Sequence, residues 1–184
     1  MPHRAFIGIG SNLGDRAENY RQAIVRIAAL PKTQVVRQSS IYETEPVGEL
    51  KGAFLNGVIE IATEMNADAL LRQLLAIEQA LGRRRQASSR RAPKRPLPRT
   101  IDLDLLFFDN EVINSAHLVV PHPRLHERRF VLAPMAELAP SLTHPQSNKT
   151  ISELLAQLKS PQRVTLARAE LLRPRTRRPE VATK

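Results

Sequence analysis

Apolar positions recur along this chain with two different periods, and each period predicts its own kind of element. Runs that alternate or are wholly apolar, and that contain β-branched residues, predict strands. These predicted strands cover residues 5–9, 33–42, 54–63 and 100–108. Apolar positions spaced three and four residues apart predict helices with one apolar face. These predicted helices cover residues 16–30, 69–81, 131–138 and 151–158.

Turn-forming residues mark where several of these elements end. Pro31 ends the first helix, and Gly82 is expected to stop the second. Either Asn66 or Asp68 supplies a side chain that can cap the start of that second helix. Residues 83–99 contain three prolines and are predicted to form an irregular, mobile loop.

The order of the predicted elements is strand, helix, strand, strand, helix, loop and strand, followed by further helices. This order is close to the ferredoxin-like βαββαβ arrangement, so we predict an α+β fold with helices on one face of a mostly antiparallel sheet. A chain of 184 residues suits a single domain. We place this domain at residues 1–160 and predict a basic tail at 161–184, disordered beyond Leu172.

The formal net charge of +10 is concentrated in two segments. Residues 83–99 contain eight basic and no acidic side chains, and residues 161–184 contain seven basic and two acidic ones. The rest of the chain is mildly acidic. One strongly basic loop on such a body favours binding of a polyphosphate over the coating of nucleic acid. The absence of cysteine excludes disulfides and thiolate-bound zinc.

The first residues of the chain lead directly into the first predicted strand. They show neither the apolar stretch nor the small-residue cleavage site of a signal peptide. The chain also has no run of about 18 apolar residues, the length that indicates a membrane span. We therefore expect a cytoplasmic protein with no membrane partner.

Two aspartates at the start of the predicted strand 100–108 are the strongest candidates for chemistry. Asp102 and Asp104 are two residues apart, so their side chains project from the same face of the strand. Two close carboxylates repel each other unless a cation lies between them, and hard oxygen ligands favour Mg²⁺. Arg99 and the basic loop arrive in the same stretch of chain, and guanidinium groups bind phosphate oxygens in pairs.

Two other motifs have less specific interpretations. His122 lies between two prolines, where it could donate to a phosphate, act as an acid or base, or be structural. A zinc site built from His122, His126 and an aspartate is disfavoured, because the prolines prevent helical spacing. Residues 10–14 resemble a phosphate-binding loop only superficially, because the Gly-Lys-Ser/Thr ending is absent; they are better interpreted as a turn or helix cap.

Five separated stretches of sequence occur in an order and at distances that resemble the 6-hydroxymethyl-7,8-dihydropterin pyrophosphokinase family. They are Gly-Ser-Asn-Leu-Gly-Asp at 10–15, Ser-Ile-Tyr-Glu-Thr-Glu-Pro-Val-Gly at 40–48, Phe-Leu-Asn at 54–56, Pro-Arg-Thr-Ile-Asp-Leu-Asp at 98–104 and Pro-His-Pro-Arg at 121–124. The resemblance covers residues 4–158.

This resemblance implies a ferredoxin-like domain that transfers diphosphate from ATP to the hydroxymethyl group of 6-hydroxymethyl-7,8-dihydropterin. The reaction would release AMP and belong to folate biosynthesis. Asp102 and Asp104 would hold two Mg²⁺ ions, and Arg83, Arg85 and Arg99 would assist catalysis. The enzyme would act as a monomer, with the basic loop closing over bound nucleotide.

The resemblance also implies binding residues for both substrates. The pterin contacts would be Thr44, Pro46, Val47, Phe54, Asn56 and Phe130. The ATP contacts would be Glu78, Arg83, Arg99, His122 and Arg128. Several positions depart from the family pattern, among them Pro96-Leu97-Pro98-Arg99, where the family usually has Trp-Gly-Pro-Arg. Phe54 replaces a frequent tyrosine, and His117 and Val119 stand where some relatives hold nucleotide with arginine and threonine.

Two alternative functions come from other classes. Ferredoxin-like sheets also occur in RNA-binding modules, but this chain has only seven Phe and Tyr residues and lacks the expected aromatic sheet motif. We therefore expect no nucleic-acid partner. The second alternative is a pterin-binding protein that has lost catalysis, which metal-dependent release of AMP would distinguish from an enzyme.

Overall fold

A six-stranded antiparallel sheet forms the centre of the computed structural model, which describes residues 1–45, 52–82 and 99–168. The strands are β1 (His3–Ser11), β2 (Thr33–Gln38), β3 (Tyr42–Thr44), β4 (Phe54–Thr63), β5 (Asp102–Phe108), β6 (Ile113–Asn114), β7 (Val119–Val120) and β8 (Val164–Leu166). The helices are α1 (Arg16–Ala28), α2 (Ala67–Ala80), α3 (Arg129–Leu138) and α4 (Ile151–Gln157). Strands β6 and β7 form a separate two-stranded hairpin.

The strand order confirms the predicted ferredoxin-like class. In the main sheet β5 pairs with β1, β1 with β4, and β4 with both β2 and β3, which lie one after the other along the same edge of β4. The predicted strand 33–42 is therefore interrupted. Ser39 lies at the break, where its hydroxyl oxygen accepts a hydrogen bond from the amide of Val58 at 3.0 Å.

Hydrogen-bonding side chains set the starts of the first two helices. The side chain of Asp15 accepts from the amide of Glu18 and caps α1, which ends at Ala28, two residues before the predicted end. Asn66, rather than Asp68, caps α2 by accepting from the amide of Ala69 at 2.8 Å. Gly82 follows α2 with φ of +85°, a left-handed conformation that suits glycine after a helix.

The prediction that the helices lie on one face of the sheet is wrong, because they cover both. One core cluster packs α1 and α2 against alternate residues of β1 such as Ile7 and Ile9. A second cluster packs α3 and α4 against Phe6 of the same strand and Val58 of β4. The central strands are buried on both faces, which explains their continuous apolar runs.

The structure contains short strands that the sequence patterns did not indicate. The β6–β7 hairpin and β8 have only two or three residues each, too few for a period to be recognised. Strand β8 lies in the predicted tail and pairs with β3 at the edge of the main sheet. The remainder of the predicted mobile loop, 83–98, and residues 169–184 lie outside the described residues.

No helix in the described part of the chain is both long and apolar enough to cross a membrane.

Gly57 on β4 offers a test of the packing between the sheet and α1. A Cβ atom at this position would collide with the hydroxyl of Tyr20 and lie 3.2 Å from Oγ of Ser39. We expect Gly57→Ala to lower the free energy of unfolding by about 1–3 kcal/mol, as overpacked cores do. Urea denaturation followed by circular dichroism measures this loss.

The matched control removes the atom that causes the collision. The Tyr20 hydroxyl is buried and has no hydrogen-bond partner among the described residues, so Tyr20→Phe should cost little by itself. Tyr20→Phe should also recover part of the stability lost in Gly57→Ala. Equal losses for Gly57→Ala with and without Tyr20→Phe would contradict this packing.

Candidate active site

Asp102 and Asp104 begin β5 and share the sheet face that α3 and α4 cover. Their side chains are 20% and 31% exposed to solvent, respectively. The pairing of β5 with β1 places Asp102 opposite Gly10 and Asp104 opposite Gly8. Because both neighbours are glycines, no β1 side chain stands beside either carboxylate on this face. The structure confirms the prediction that the Asp102 and Asp104 side chains project from one face of a strand.

Three cationic or titratable side chains gather around the two carboxylates. Arg99 forms an ion pair with Asp102. Arg128 donates to Oδ2 of Asp104 at 3.0 Å, and Nε2 of His122 lies 3.9 Å from the same oxygen. Arg128 and His122 are also close to each other, at 3.4 Å between their nitrogens. The structure therefore brings together residues that the sequence could only place in separate segments.

The electrostatics of this cluster shift two of its groups in opposite directions. Burial and the neighbouring charge of Asp102 raise the pKa of Asp104, although His122 and Arg128 partly offset the rise. Burial lowers the pKa of His122, and Arg128 lowers it further, whereas Asp104 raises it. The site thus disfavours a second carboxylate charge and favours a neutral imidazole.

Glu78 of α2 holds the backbone of β5 at Leu103, the residue between the two aspartates. Its side chain is almost fully buried, with 1% exposure, and Oε1 accepts from the amide of Leu103 at 2.8 Å. The resemblance predicted Glu78 as an ATP contact. In this structure the residue also fixes the backbone from which Asp102 and Asp104 project.

The turn after β1 holds Arg99 in place, a role that sequence reasoning missed. The amide of Arg99 donates to Oδ1 of Asn12 at 2.8 Å, and the amide of Asn12 donates to the carbonyl of Arg99 at 3.2 Å. Ser11 donates through Oγ to the carbonyl of Thr100 at 2.6 Å. The Ser-Asn pair at a strand end was the signal available, but it was interpreted only as a turn or cap.

A cleft of about 390 Å³ opens beside the carboxylates, between α2, β5 and the segment 117–123. One wall is apolar and includes Leu71 and Leu75, while the other side carries the charged cluster. His117 and Val119, two of the positions that depart from the family pattern, also line this cleft.

Asn56 of β4 stands on the opposite side of Gly10 from Asp102. Gly10 pairs with both residues, so the three positions form one row across three strands. A Cβ atom on Gly10 would lie 2.9 Å from Oδ1 of Asn56, which shows how closely that side chain approaches the β1 backbone. The Asn56 amide donates to the hydroxyl of Thr44 at 2.6 Å, which fixes its orientation.

Some of the other predicted site residues lie in the described part of the chain, and some lie outside it. Phe54 lies two residues before Asn56 on β4, and both positions share one sheet face. Phe130 lies in α3, which begins two residues before the predicted helix start, and its ring is 5.7 Å from the Arg128 guanidinium carbon. Pro46, Val47, Arg83 and Arg85 lie outside the described residues.

A second carboxylate cluster lies at the far end of β5. Nδ1 of His3 is 2.7 Å from Oδ2 of Asp109, and with Glu111 these residues could bring three ligand atoms within 4.8 Å of one another. Sequence reasoning did not identify this group, whose members come together because β1 and β5 are antiparallel. Among the described residues, no arginine forms an ion pair with Asp109 or Glu111, in contrast to Asp102 and Asp104.

Comparisons with known proteins agree with the fold and with the motifs. A model of the 7,8-dihydro-6-hydroxymethylpterin-pyrophosphokinase family matches residues 6–140. A Bacillus subtilis protein named 2-amino-4-hydroxy-6-hydroxymethyldihydropteridine pyrophosphokinase is 46% identical over 75% of this chain and 79% of its own length. A Methylorubrum extorquens protein of the same name is 40% identical over 84% of this chain and 93% of its own.

A solved structure supports the fold at much lower sequence identity. The crystal structure of wild-type Plasmodium falciparum HPPK-DHPS with pteroate has a TM-score of 0.66 and 14% identity, over 85% of this chain. The matched region is 44% of that longer protein. Together, the family-model match and the high identity to pyrophosphokinases of similar length show that this chain belongs to the 7,8-dihydro-6-hydroxymethylpterin-pyrophosphokinase family.

Proposed function

We propose that this protein transfers diphosphate from ATP to the hydroxymethyl group of 6-hydroxymethyl-7,8-dihydropterin, releasing AMP in folate biosynthesis. The observation that carries the proposal is the position of Asp102 and Asp104. The cleft beside α2 lies on one side of the two aspartates, and Gly10 and Asn56 lie on the other. A diphosphate group passed from one side to the other would cross the charged cluster.

The carboxylate pair supports a requirement for Mg²⁺, with two ions as in our sequence-based prediction. Two half-buried carboxylates on one face offer hard oxygen ligands, and burial together with the neighbouring charge of Asp102 raises the pKa of Asp104. Bound Mg²⁺ would neutralise phosphate charge and lower the barrier to attack by the hydroxyl. Asp102 and Asp104 are the residues that would hold it.

The cleft beside α2 is the proposed ATP side. Its apolar wall of leucines suits a nucleobase or ribose, whereas Arg99, His122 and Arg128 suit phosphates. Arg99 and Arg128 are already oriented by their ion pairs with the aspartates. The neutral imidazole favoured at His122 can donate one hydrogen bond to a phosphate oxygen. Glu78, Arg83 and Arg85 complete the proposed set, and residues 83–99 are proposed to close over the nucleotide.

The opposite side of the aspartates is the proposed pterin side. Asn56 carries both a donor and an acceptor, which suits the edge of a heterocycle, and Thr44 holds its amide in one orientation. Phe54 and Phe130 supply aromatic faces for stacking. Pro46 and Val47 complete this proposed pocket.

The proposed reaction is an in-line displacement at the β-phosphorus of ATP. The pterin hydroxymethyl oxygen forms the new bond to this phosphorus as the bond to the α,β-bridging oxygen breaks, so AMP leaves with that oxygen. The hydroxyl proton is released to solvent. Arg99 and Arg128 would stabilise the charge that develops on the transferred phosphates. Catalysis in this scheme is mainly positioning and charge stabilisation.

We propose, from the family resemblance, that the protein acts as a monomer. Its location in the cytoplasm stays a prediction from the sequence.

Asp104→Asn tests the electrostatic cost of the carboxylate pair without metal. Because folding raises the pKa of Asp104, its protonated carboxyl stabilises the folded state at pH values below the ordinary pKa of about 3.9. This stabilisation is lost as the pH rises through the raised pKa of the folded state. The neutral asparagine should therefore unfold at a higher urea concentration than aspartate at pH 7 in EDTA. This advantage should shrink as the pH is lowered towards the carboxyl range. A less stable variant at pH 7 would contradict the argument.

Asp102→Ala/Asp104→Ala tests the proposed catalytic centre. We expect pterin- and Mg²⁺-dependent formation of AMP from ATP to fall by at least about 1000-fold, or about 4 kcal/mol of transition-state stabilisation. The control Asp109→Asn/Glu111→Gln neutralises two carboxylates near the far end of β5. Its activity should stay within about twofold. If the unsubstituted protein is folded and binds pterin but forms no AMP, the result would instead favour the inactive pterin binder.

Asn56→Ala tests the proposed pterin side. We expect the KM for the pterin to rise by about 10–100-fold, because the heterocycle loses hydrogen-bonding partners in a buried site, while the KM for ATP stays within about twofold. Thr44→Ser retains the hydroxyl that accepts from Asn56 and should retain most of the affinity. Steady-state kinetics with each substrate varied in turn would measure both constants. A parallel rise in the two KM values would argue against this assignment.

A further inference from the structure

The short strand β3 joins the proposed pterin side to a C-terminal segment beyond residues 6–140, the region that matches the family model. We propose that this segment, residues 162–167, is a positioning element that holds β3 and Glu45 for pterin binding. We call it the C-terminal clamp. The inference rests on the proposed function and deepens it, because the clamp would set affinity for one substrate of the two.

Strand β3 has only three residues and needs support on both edges. On one edge it pairs with β4, where Tyr42 lies opposite Asn56 and Thr44 opposite Phe54. On the other edge it pairs with β8 of the clamp, with Glu43 opposite Thr165. Without the clamp, β3 would be a three-residue strand at the edge of the sheet, and such strands are weakly held.

The clamp fixes both backbone groups of Glu45, the last described residue before Pro46 and Val47. The amide of Glu45 donates to the carbonyl of Arg163 at 3.3 Å. The carbonyl of Glu45 accepts from Nε2 of Gln162 at 2.9 Å. The chain therefore leaves β3 with its direction set by the clamp, immediately before two of the predicted pterin contacts.

Helix α3 also holds the start of β3. The carboxylate of Glu137 on α3 accepts from the amide and hydroxyl of Ser40 and from the hydroxyl of Tyr42, each at 2.9 Å. Burial and this carboxylate raise the pKa of Tyr42 to about 12. The clamp runs along the whole of β3, whereas α3 holds only its start, so weakening the clamp should mainly release the end that carries Thr44.

Apart from a bond from the amide of Gln162 to the nearby Ser160, the described hydrogen bonds from the clamp to other parts of the chain lead to the pterin side. They reach the backbone of Ile41, Glu43 and Glu45 on or beside β3. Thr44 lies between these residues and accepts from Asn56, so the support continues to the side chain proposed to recognise the heterocycle. Arg99, His122 and Arg128 are held instead by β1 and β5. This division predicts a selective effect on pterin affinity.

The register of β8 supplies a matched pair of substitutions. The amide of Ala167 donates to the carbonyl of Ile41 at 2.8 Å, and the amide of Glu45 donates to the carbonyl of Arg163 four residue pairs further along the ladder. Because pairs alternate in an antiparallel ladder, Thr165 and Glu43 form a hydrogen-bonded pair, whereas the amide of Leu166 points away from β3. Proline at 165 therefore removes a bond to β3, and proline at 166 does not.

The test compares Thr165→Pro with Leu166→Pro in the full chain. The Kd of the pterin, with a non-hydrolysable ATP analogue present, is read from pterin fluorescence, and the Kd of the analogue alone is measured by calorimetry. We expect Thr165→Pro to weaken pterin binding by about tenfold and analogue binding by less than about twofold, which is the selectivity expected of a positioning role. Leu166→Pro should leave both values unchanged.

A milder substitution tests the clamp without changing its backbone. Gln162→Met keeps the side-chain length but removes the donor to Glu45, and should weaken pterin binding by about threefold, as loss of one hydrogen bond does. Equal pterin affinity in Thr165→Pro and Leu166→Pro, or equal weakening of pterin and nucleotide, would overturn the clamp. Normal AMP formation in that case would leave the proposed function intact. An original protein that bound no pterin would overturn both.

Discussion

The pairing of β1 with β4 on one side and β5 on the other is the constraint on which the rest of the site depends. It aligns Asn56, Gly10 and Asp102 in one row, although these residues are far apart in the sequence. Glycine in the middle of the row removes the side chain that would otherwise separate the two flanking groups. A change of one residue in either register would turn Asn56 or the aspartates to the opposite face, into the core beneath α1 and α2.

The carboxylate pair shows how function opposes stability within this frame. Asp104 has a raised pKa because burial and Asp102 both disfavour its charge, and the nearby Arg128 and His122 only partly offset this. A protein selected for stability alone would replace one of the pair with a neutral residue. Both acids, each with a guanidinium group already paired to it, suit the phosphoryl transfer with bound cations that we propose.

The backbone around the cluster is fixed by hydrogen bonds between distant segments. Glu78 holds Leu103 of β5, Asn12 holds Arg99, and Glu137 holds the start of β3. Single-sequence patterns could not reveal these contacts, because a buried glutamate in a helix or an asparagine in a turn has many possible partners. The same reason explains why β8 was not predicted. Its three residues have no recognisable period, and its strand conformation depends on the free edge of β3.

The sequence by itself determined the main helices and strands, the ferredoxin-like order and the family to which the chain belongs. Those features depend on local periodicity, on caps such as Asp15 and on motifs whose residues are close together in the chain. It also determined that Asp102 and Asp104 share a face, because alternation along a strand is a local property.

Tertiary structure alone decided the rest. It placed helices on both faces of the sheet, brought Arg128 and His122 to Asp104, and joined the C-terminal segment to β3. These outcomes depend on which surfaces remain to be covered once the sheet has formed, and on charges that meet only after the chain has folded. Such contacts between distant residues are determined by burial and electrostatics of the whole molecule, which no local pattern contains.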